Sequence, residues 1–151
     1  MLSQKRASND FRLLQKTITE KKNPSIISAV LKDLYHWSVV VTPPTNSLYA
    51  GRQYTLDVIL TTDFPSKPPA IKFVTPIFNP GVMKDGSLCE RLIDNEDYKP
   101  TQQVQLAIEK VMNAIFVEYD KIEAVNTDAG QLLTKSLPEF KKKVEEVKKK
   151  A

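Results

Sequence analysis

One side chain in this sequence can serve as a soft nucleophile: Cys89, the only cysteine among 151 residues. A thiolate attacks carbonyl carbon readily and leaves it readily, so an accessible thiol can hold an acyl group as a thioester without any cofactor. A buried thiol is no more than a small apolar side chain. Cys89 follows Asp85-Gly86-Ser87-Leu88, a polar loop sequence that points to exposure. It sits inside residues 64–100, FPSKPPAIKFVTPIFNPGVMKDGSLCERLIDNEDYKP, which hold six of the ten prolines. Proline lacks an amide donor and clashes with the preceding helical turn. This stretch is therefore a short strand near residues 70–75 followed by a long loop of fixed shape, a setting that suits chemistry displayed on a scaffold. The one histidine, His36, stands beside Trp37 in a strand pattern far from Cys89 in sequence. Two readings of it compete: half of a Cys/His hydrolase pair, or a strand histidine with ordinary partners.

Composition narrows the classes. Hydrophobic residues make up 41% of the chain and charged residues 26%, as in an ordinary globular protein. Residues 1–151 are expected to form one domain, long enough to bury a core without disulfide or metal. A single cysteine excludes an internal disulfide, and with one histidine it excludes a Cys/His zinc cluster, so no metal is expected. The opening MLSQKRASNDF has charges where a signal peptide needs an apolar run, and no stretch is long enough to span a bilayer. The expectation is a cytoplasmic or nuclear protein with no membrane partner, its thiol kept reduced. Net charge is +4, much of it in Lys5, Arg6, Arg12 and Lys16 and in Lys141–Lys143 and Lys148–Lys150. No aromatics are interleaved with arginine to stack bases, so solvated helix faces are preferred over nucleic-acid binding.

The elements that must position the thiol follow from periodicity. Leu2, Phe11, Leu14 and Ile18 share a stripe that predicts a helix over residues 3–20, ended by Lys21-Lys22-Asn23-Pro24. Strands are expected over residues 25–34, 37–42, 53–60 and 70–75. In the third of these Tyr54, Leu56, Val58 and Leu60 lie on one face. The joining turns are short, so consecutive strands should pair as an antiparallel sheet. Val104, Ile108, Val111, Met112, Ile115 and Phe116 predict a helix over residues 101–117, with a break at residues 119–125. Asn126 or Thr127 caps a short helix, and Pro138 fits the first turn of a last one, where Phe140, Val144 and Val147 make the stripe. Helix, sheet, cysteine loop, helices: the class is α+β.

The order of these elements and an ordered series of short motifs resemble the ubiquitin-conjugating enzymes. The motifs are HW at 36–37, TPPTNSLYAG at 42–51, DFPSKPPAIKF at 63–73, TPIFNPGV at 75–82, DGSLC at 85–89, YKP at 98–100 and NTDA at 126–129. The resemblance implies that Cys89 takes ubiquitin, or a ubiquitin-like modifier, from an activating enzyme as a thioester. It then yields the modifier to a lysine of a protein substrate or to a cysteine of a ubiquitin ligase. No cofactor is implied, because ATP is consumed in the preceding activation step. Two alternatives stay open: the same chemistry with another modifier, and a binding module of this fold without activity.

The resemblance also assigns roles. Asn79 falls in the segment where the family writes His-Pro-Asn. Matched by chemistry it is an amide donor to the oxyanion; as a loop residue it is a brace made of side-chain-to-backbone hydrogen bonds. Matching Phe78 to the histidine instead leaves Pro80 at the asparagine's place. Glu123 stands where an acidic residue gates the incoming lysine. Arg91 departs from the Asp common at that place in lysine-transferring members. Lys5 and Arg6 match the region that meets the activating enzyme. The ligase-facing loops hold Pro65, Ser66 and Pro68 on one side and Lys99, Pro100 and Thr101 on the other. Ser66 stands where many members have Phe, and Tyr98 replaces the usual Trp.

Overall fold

The computed structural model describes residues 2–150, with side chains from Ser3 onward. Helix α1 runs Leu2–Thr19. It buries Ala7, Asp10 and Leu14 and packs Phe11 and Ile18 partly against the core. The predicted contribution of Leu2 to the stripe lies outside the described side chains. The helix closes before Pro24 is reached: Lys21 turns left-handed (φ 55°), Lys21 N–H donates to Ile18 O at 3.1 Å, and Lys22 N–H donates to Thr17 O at 3.1 Å. That pair of bonds is a Schellman closure, here built with lysine in place of glycine.

Strands β1 (Ile26–Asp33), β2 (His36–Val41), β3 (Tyr54–Ile59) and β4 (Ala70–Phe73) form one antiparallel meander in sequence order. Cross-strand pairs Trp37–Val58, Val39–Leu56, Leu56–Phe73 and Val58–Ile71 put every large inward side chain in register. Burying each such side chain contributes roughly 1.5–3 kcal/mol. Strand β1 has two bulges, between Ile26 and Ser28 and between Leu31 and Asp33, which break the alternation its sequence would otherwise show. Strand β4 stops two residues short of the expected 75. There Val74 N–H turns to Thr55 O at 2.9 Å, and Thr75 Oγ1 accepts from Thr55 N at 2.8 Å.

Helix α2 starts at Val104, not at residue 101, because Asp10 of α1 supplies its cap: Oδ2 accepts from Val104 N–H at 3.0 Å. After Met112 the helix widens into a π-turn over Asn113–Val117, closed by Glu118 N–H donating to Asn113 O at 2.9 Å. The widening lets Ile115 and Phe116 face inward together; Phe116 meets Tyr54 (5.2 Å between centroids) and Phe73 (6.0 Å). Helix α3 (Thr127–Lys135) takes Asn126, not Thr127, as its cap, with Oδ1 accepting from Ala129 N–H at 3.1 Å. Helix α4 (Leu137–Lys150) buries Phe140 and Val144. Part of its basic end is structural, since Lys148 Nζ donates to the carbonyls of Leu48 and Ala50 at 3.1 and 2.9 Å. Among the described residues no helix is long and apolar enough to cross a membrane.

Candidate active site

Cys89 is half-buried at the point where extended chain (φ −66°, ψ 124°) enters a 3-10 turn over Glu90–Leu92. A β-hairpin over residues 82–88 leads into it, closed by Met83 N–H to Ser87 O at 2.8 Å, Gly86 N–H to Met83 O at 2.9 Å and a bridge between Val82 and Leu88. Asp85 Oδ1 accepts from Ser87 N–H at 3.0 Å, which holds the carboxyl below its ordinary pKa and the tip in its turn. The hairpin leans on β4 through Phe73 N–H to Gly86 O at 2.9 Å and a bridge from Lys72 to Ser87. Only glycine permits this approach. Gly86 has φ +92°, and a Cβ there would lie 2.0 Å from Phe73 O.

Beneath the hairpin lies Asn79, fully buried. Its Nδ2 donates to Ile115 O at 2.7 Å, a carbonyl left over at the end of the widened helix, and its Oδ1 accepts from Gly81 N–H at 2.8 Å. Neighbouring bonds continue the frame. Tyr49 Oη donates to Phe78 O at 2.6 Å; burial raises its pKa far above the usual tyrosine value, so it stays a donor. Val125 and Asn126 N–H both donate to Pro80 O, at 2.8 and 2.9 Å, and Asn126 Nδ2 donates to Val82 O at 3.2 Å. The loop that carries the thiol is thus bonded to β4, α2 and the start of α3.

Beside the thiol, Arg91 and Glu123 face each other across 3.6 Å with both side chains largely exposed. A groove of about 570 Å³ opens at the thiol, lined by Ala70, Lys72, Ser87, Cys89, Ile93 and Asp94 among others. His36 has no part in this. Its Nε2 lies 3.3 Å from Asp57 Oδ1, close enough for an ion pair, but without hydrogen-bond alignment. Among the described residues no group of three or more His, Cys, Asp or Glu side chains is arranged to hold a metal.

The remaining sites named from sequence divide by exposure. Lys5 is exposed on α1. Arg6 is engaged inside the fold: it pairs with Asp10 at 3.0 Å, donates to the carbonyls of Pro100 and Gln102, and lies over the Phe64 ring at 5.6 Å. Its guanidinium is a clamp between α1 and two loops, with 21% of the side chain exposed. Ser66, Lys99, Pro100 and Thr101 are exposed and Pro65 is half-buried, while Pro68 is largely buried and contributes to the wall of the groove at Cys89. Tyr98 Oη donates to Pro65 O at 2.6 Å and so holds the two loops together.

A family profile described as ubiquitin-conjugating enzyme matches residues 6–148. The chain belongs to the ubiquitin-conjugating enzyme family. A ubiquitin conjugating enzyme from Trypanosoma cruzi superposes with a TM-score of 0.87 and 30% identity, covering 93% of this chain and 96% of that one. Ubiquitin-conjugating enzyme E2 3 of Arabidopsis thaliana is 27% identical over 147 residues, covering 96% of this chain and 93% of the relative. The SUMO-conjugating enzyme UBC9 of Caenorhabditis elegans is 28% identical over 116 residues, covering 74% and 68%.

The segment 79–81 admits a third register against His-Pro-Asn. Setting Pro80 on the proline of His-Pro-Asn puts Asn79 at the histidine's place and Gly81 at the asparagine's. The packing is compatible: the Asn79 side chain bonds the backbone of Ile115 and Gly81 and meets the Tyr49 hydroxyl, and a Cβ at Gly81 would lie 2.4 Å from Ile122 Cδ1 and 2.7 Å from Ile115 Cδ1. A side chain at position 81 would have to push the terminal methyls of Ile115 and Ile122 aside. Gly81 was not singled out from the sequence, and keeping the proline in register is the signal that finds it.

Proposed function

We propose that Cys89 accepts ubiquitin or a ubiquitin-like modifier from an activating enzyme as a thioester and delivers it to a further acceptor. What carries this reading is the half-buried thiol held by a braced hairpin beside an open groove, in a chain of this family. In the loading step the Cys89 thiolate attacks the donor's thioester carbonyl; a new C–S bond forms, the old one breaks, and the donor thiolate leaves. One thioester replaces another, so the chain itself needs no nucleotide.

The acceptor follows from the neighbours of the thiol. Asn79 is sealed under the loop it braces and position 81 is glycine, so neither offers an amide to an oxyanion at the thiol. Glu123, the acidic gate, is paired with Arg91, whose charge opposes an approaching lysine ammonium. A thiol acceptor meets no such opposition, so transfer to a ligase cysteine is the favoured route. Lys5 on α1 is offered to the activating enzyme. The joined loops with Ser66, Lys99, Pro100 and Thr101 are offered to the ligase. The SUMO-conjugating relative supports a second reading, in which the cargo is another modifier.

Incubation with activating enzyme, ATP and a panel of modifiers, followed by non-reducing electrophoresis, tests the proposal. The expected result is a thiol-sensitive adduct, absent in Cys89→Ala and converted to a reductant-resistant oxyester in Cys89→Ser. No adduct with any modifier would leave a binding module in place of a carrier.

A further inference from the structure

A second cavity, of about 620 Å³, is lined by the hairpin from Val82 to Gly86 but not by Cys89, Arg91 or Glu123. Its volume falls within the roughly 300–1,000 Å³ of pockets that hold small organic molecules. The other walls are the chain that follows β4, Leu132 and Lys135 of α3, and Lys143 and Val147 of α4. Contacts far along the chain bring these walls together. Phe78 packs on Phe140 of α4 with 5.5 Å between centroids, and Asn126 both caps α3 and donates to Val82 O at 3.2 Å.

The lining combines an apolar body with a cationic edge. Ile77, Phe78 and Leu132 are partly buried against the core and Val82 is buried. Val74 and Met83, also in the lining, leave 54% and 41% of their surfaces exposed, so a ligand that covers them gains by the hydrophobic effect. Five charged residues take part: Lys84, Asp85, Asp128, Lys135 and Lys143. Both carboxylates are engaged. Asp128 Oδ2 lies 3.5 Å from Lys84 Nζ, and Asp85 accepts from Ser87 N–H at 3.0 Å and is attracted by Lys72. Lys135 and Lys143 are exposed and form no ion pair among the described residues. Glu139 and Glu146 stand about one turn before and after Lys143 on α4, outside the lining.

We propose that this cavity binds a small organic anion, an aryl or alkyl body against Ile77, Phe78, Val82 and Leu132 with its acid group toward Lys135 and Lys143. The apolar contact supplies most of the affinity, and the two ammonium groups select an anion over a neutral or cationic ligand of the same shape. The groove at the thiol is lined by Ser87 to Glu90 and this cavity by Val82 to Gly86, so the bound anion leaves Cys89 open. The site does not depend on whether Cys89 carries a modifier.

The probe is 8-anilinonaphthalene-1-sulfonate, an aryl anion that fluoresces in apolar surroundings, added to the folded full chain. N-phenyl-1-naphthylamine is the same aryl body without the sulfonate and serves as the neutral arm. The anionic probe should bind saturably at one site, weaken as salt is raised, and be displaced by decanoate. The double variant Lys135→Glu, Lys143→Glu should lose at least tenfold of that affinity and keep the neutral arm within twofold. Lys141→Glu, on the same helix outside the lining, should keep both. Amide shifts should centre on residues 74–78, 83–86 and 132–135, and alkylation of Cys89 by iodoacetamide should proceed at an unchanged rate with the probe bound. No saturable binding, equal affinity in the double variant, or shifts centred on residues 87–94 with slowed alkylation overturns the proposal.

Discussion

At the scale of single residues the site is a nucleophile surrounded by polar groups already in use. Asn79 shows this best, because the side chain that sequence marked as a possible donor to substrate is sealed under the loop it braces. Replacing it with alanine strands the Ile115 carbonyl and the Gly81 N–H away from water, at a cost of about 1–3 kcal/mol each if unrelieved. Asn79→Ala should lower the urea midpoint by a corresponding amount, and charging of whatever protein remains folded should proceed. A normal midpoint combined with lost discharge would argue for a direct catalytic role. Arg91 belongs to the same scale. Its bond to Glu123 is between exposed groups and adds little to stability. Its influence is on the approaching acceptor, where a unit charge about 4 Å away in water is worth about 1 kcal/mol. Reversing that charge with Arg91→Asp should raise discharge to free lysine at least fivefold, read as loss of thioester with time, and leave the thermal midpoint within a degree or two. No change in lysine discharge would mean that the pair does not select the acceptor.

At the scale of elements, the hairpin at residues 82–88 sets where the thiol stands, and Gly86 sets the hairpin. Gly86→Ala forces a non-glycine residue into φ +92° and drives a methyl into the Phe73 carbonyl. A cost of roughly 1–3 kcal/mol from the backbone alone is expected, and loading of Cys89 should fall even at temperatures where the core stays folded. Loading at the normal rate would show that the hairpin's dock on β4 is dispensable. Elements of this kind were legible from sequence where the signal was local. The alternation of Tyr54, Leu56, Val58 and Leu60 marks a face that is buried at every position, and the polar run Asp85-Gly86-Ser87-Leu88 marks a loop. What was not legible depends on partners far along the chain. The start of α2 is set by Asp10, and the end of β4 by Thr55. The π-turn at Asn113–Val117 has no periodic signature short of its consequence, two consecutive inward side chains at Ile115 and Phe116. In the site, Cys89 stood out by its uniqueness. Arg6 looked like a surface cation, because nothing in its neighbourhood announces Phe64, Pro100 and Gln102.

At the scale of the molecule, the Arg6–Asp10 joint decides how the first helix, the two outward loops and the start of α2 sit together. Asp10 is 2% exposed; one carboxylate oxygen takes the Arg6 guanidinium at 3.0 Å and the other takes Val104 N–H at 3.0 Å. A buried carboxylate is tolerated here because both oxygens are satisfied, one by a cation and one by a helix start whose dipole also favours negative charge. Asp10→Asn keeps the shape but turns one acceptor into a donor that faces the guanidinium, and it removes the charge that Arg6 balances. Hydrogen bonds involving an ionised partner are each worth about 1.5–3 kcal/mol, so a loss of about 2–3 kcal/mol is expected by urea titration. The distinguishing readout is spatial. Because Arg6 also holds the carbonyls of Pro100 and Gln102, amide exchange should speed up at Val104 and across residues 98–102, while β2 and β3 stay protected. A double-mutant cycle with Arg6→Ala should show coupling of at least 1 kcal/mol, since the two side chains share one network. Additive losses, or faster exchange spread evenly over the chain, would mean that the joint supplies general stability and does not specifically hold the loops.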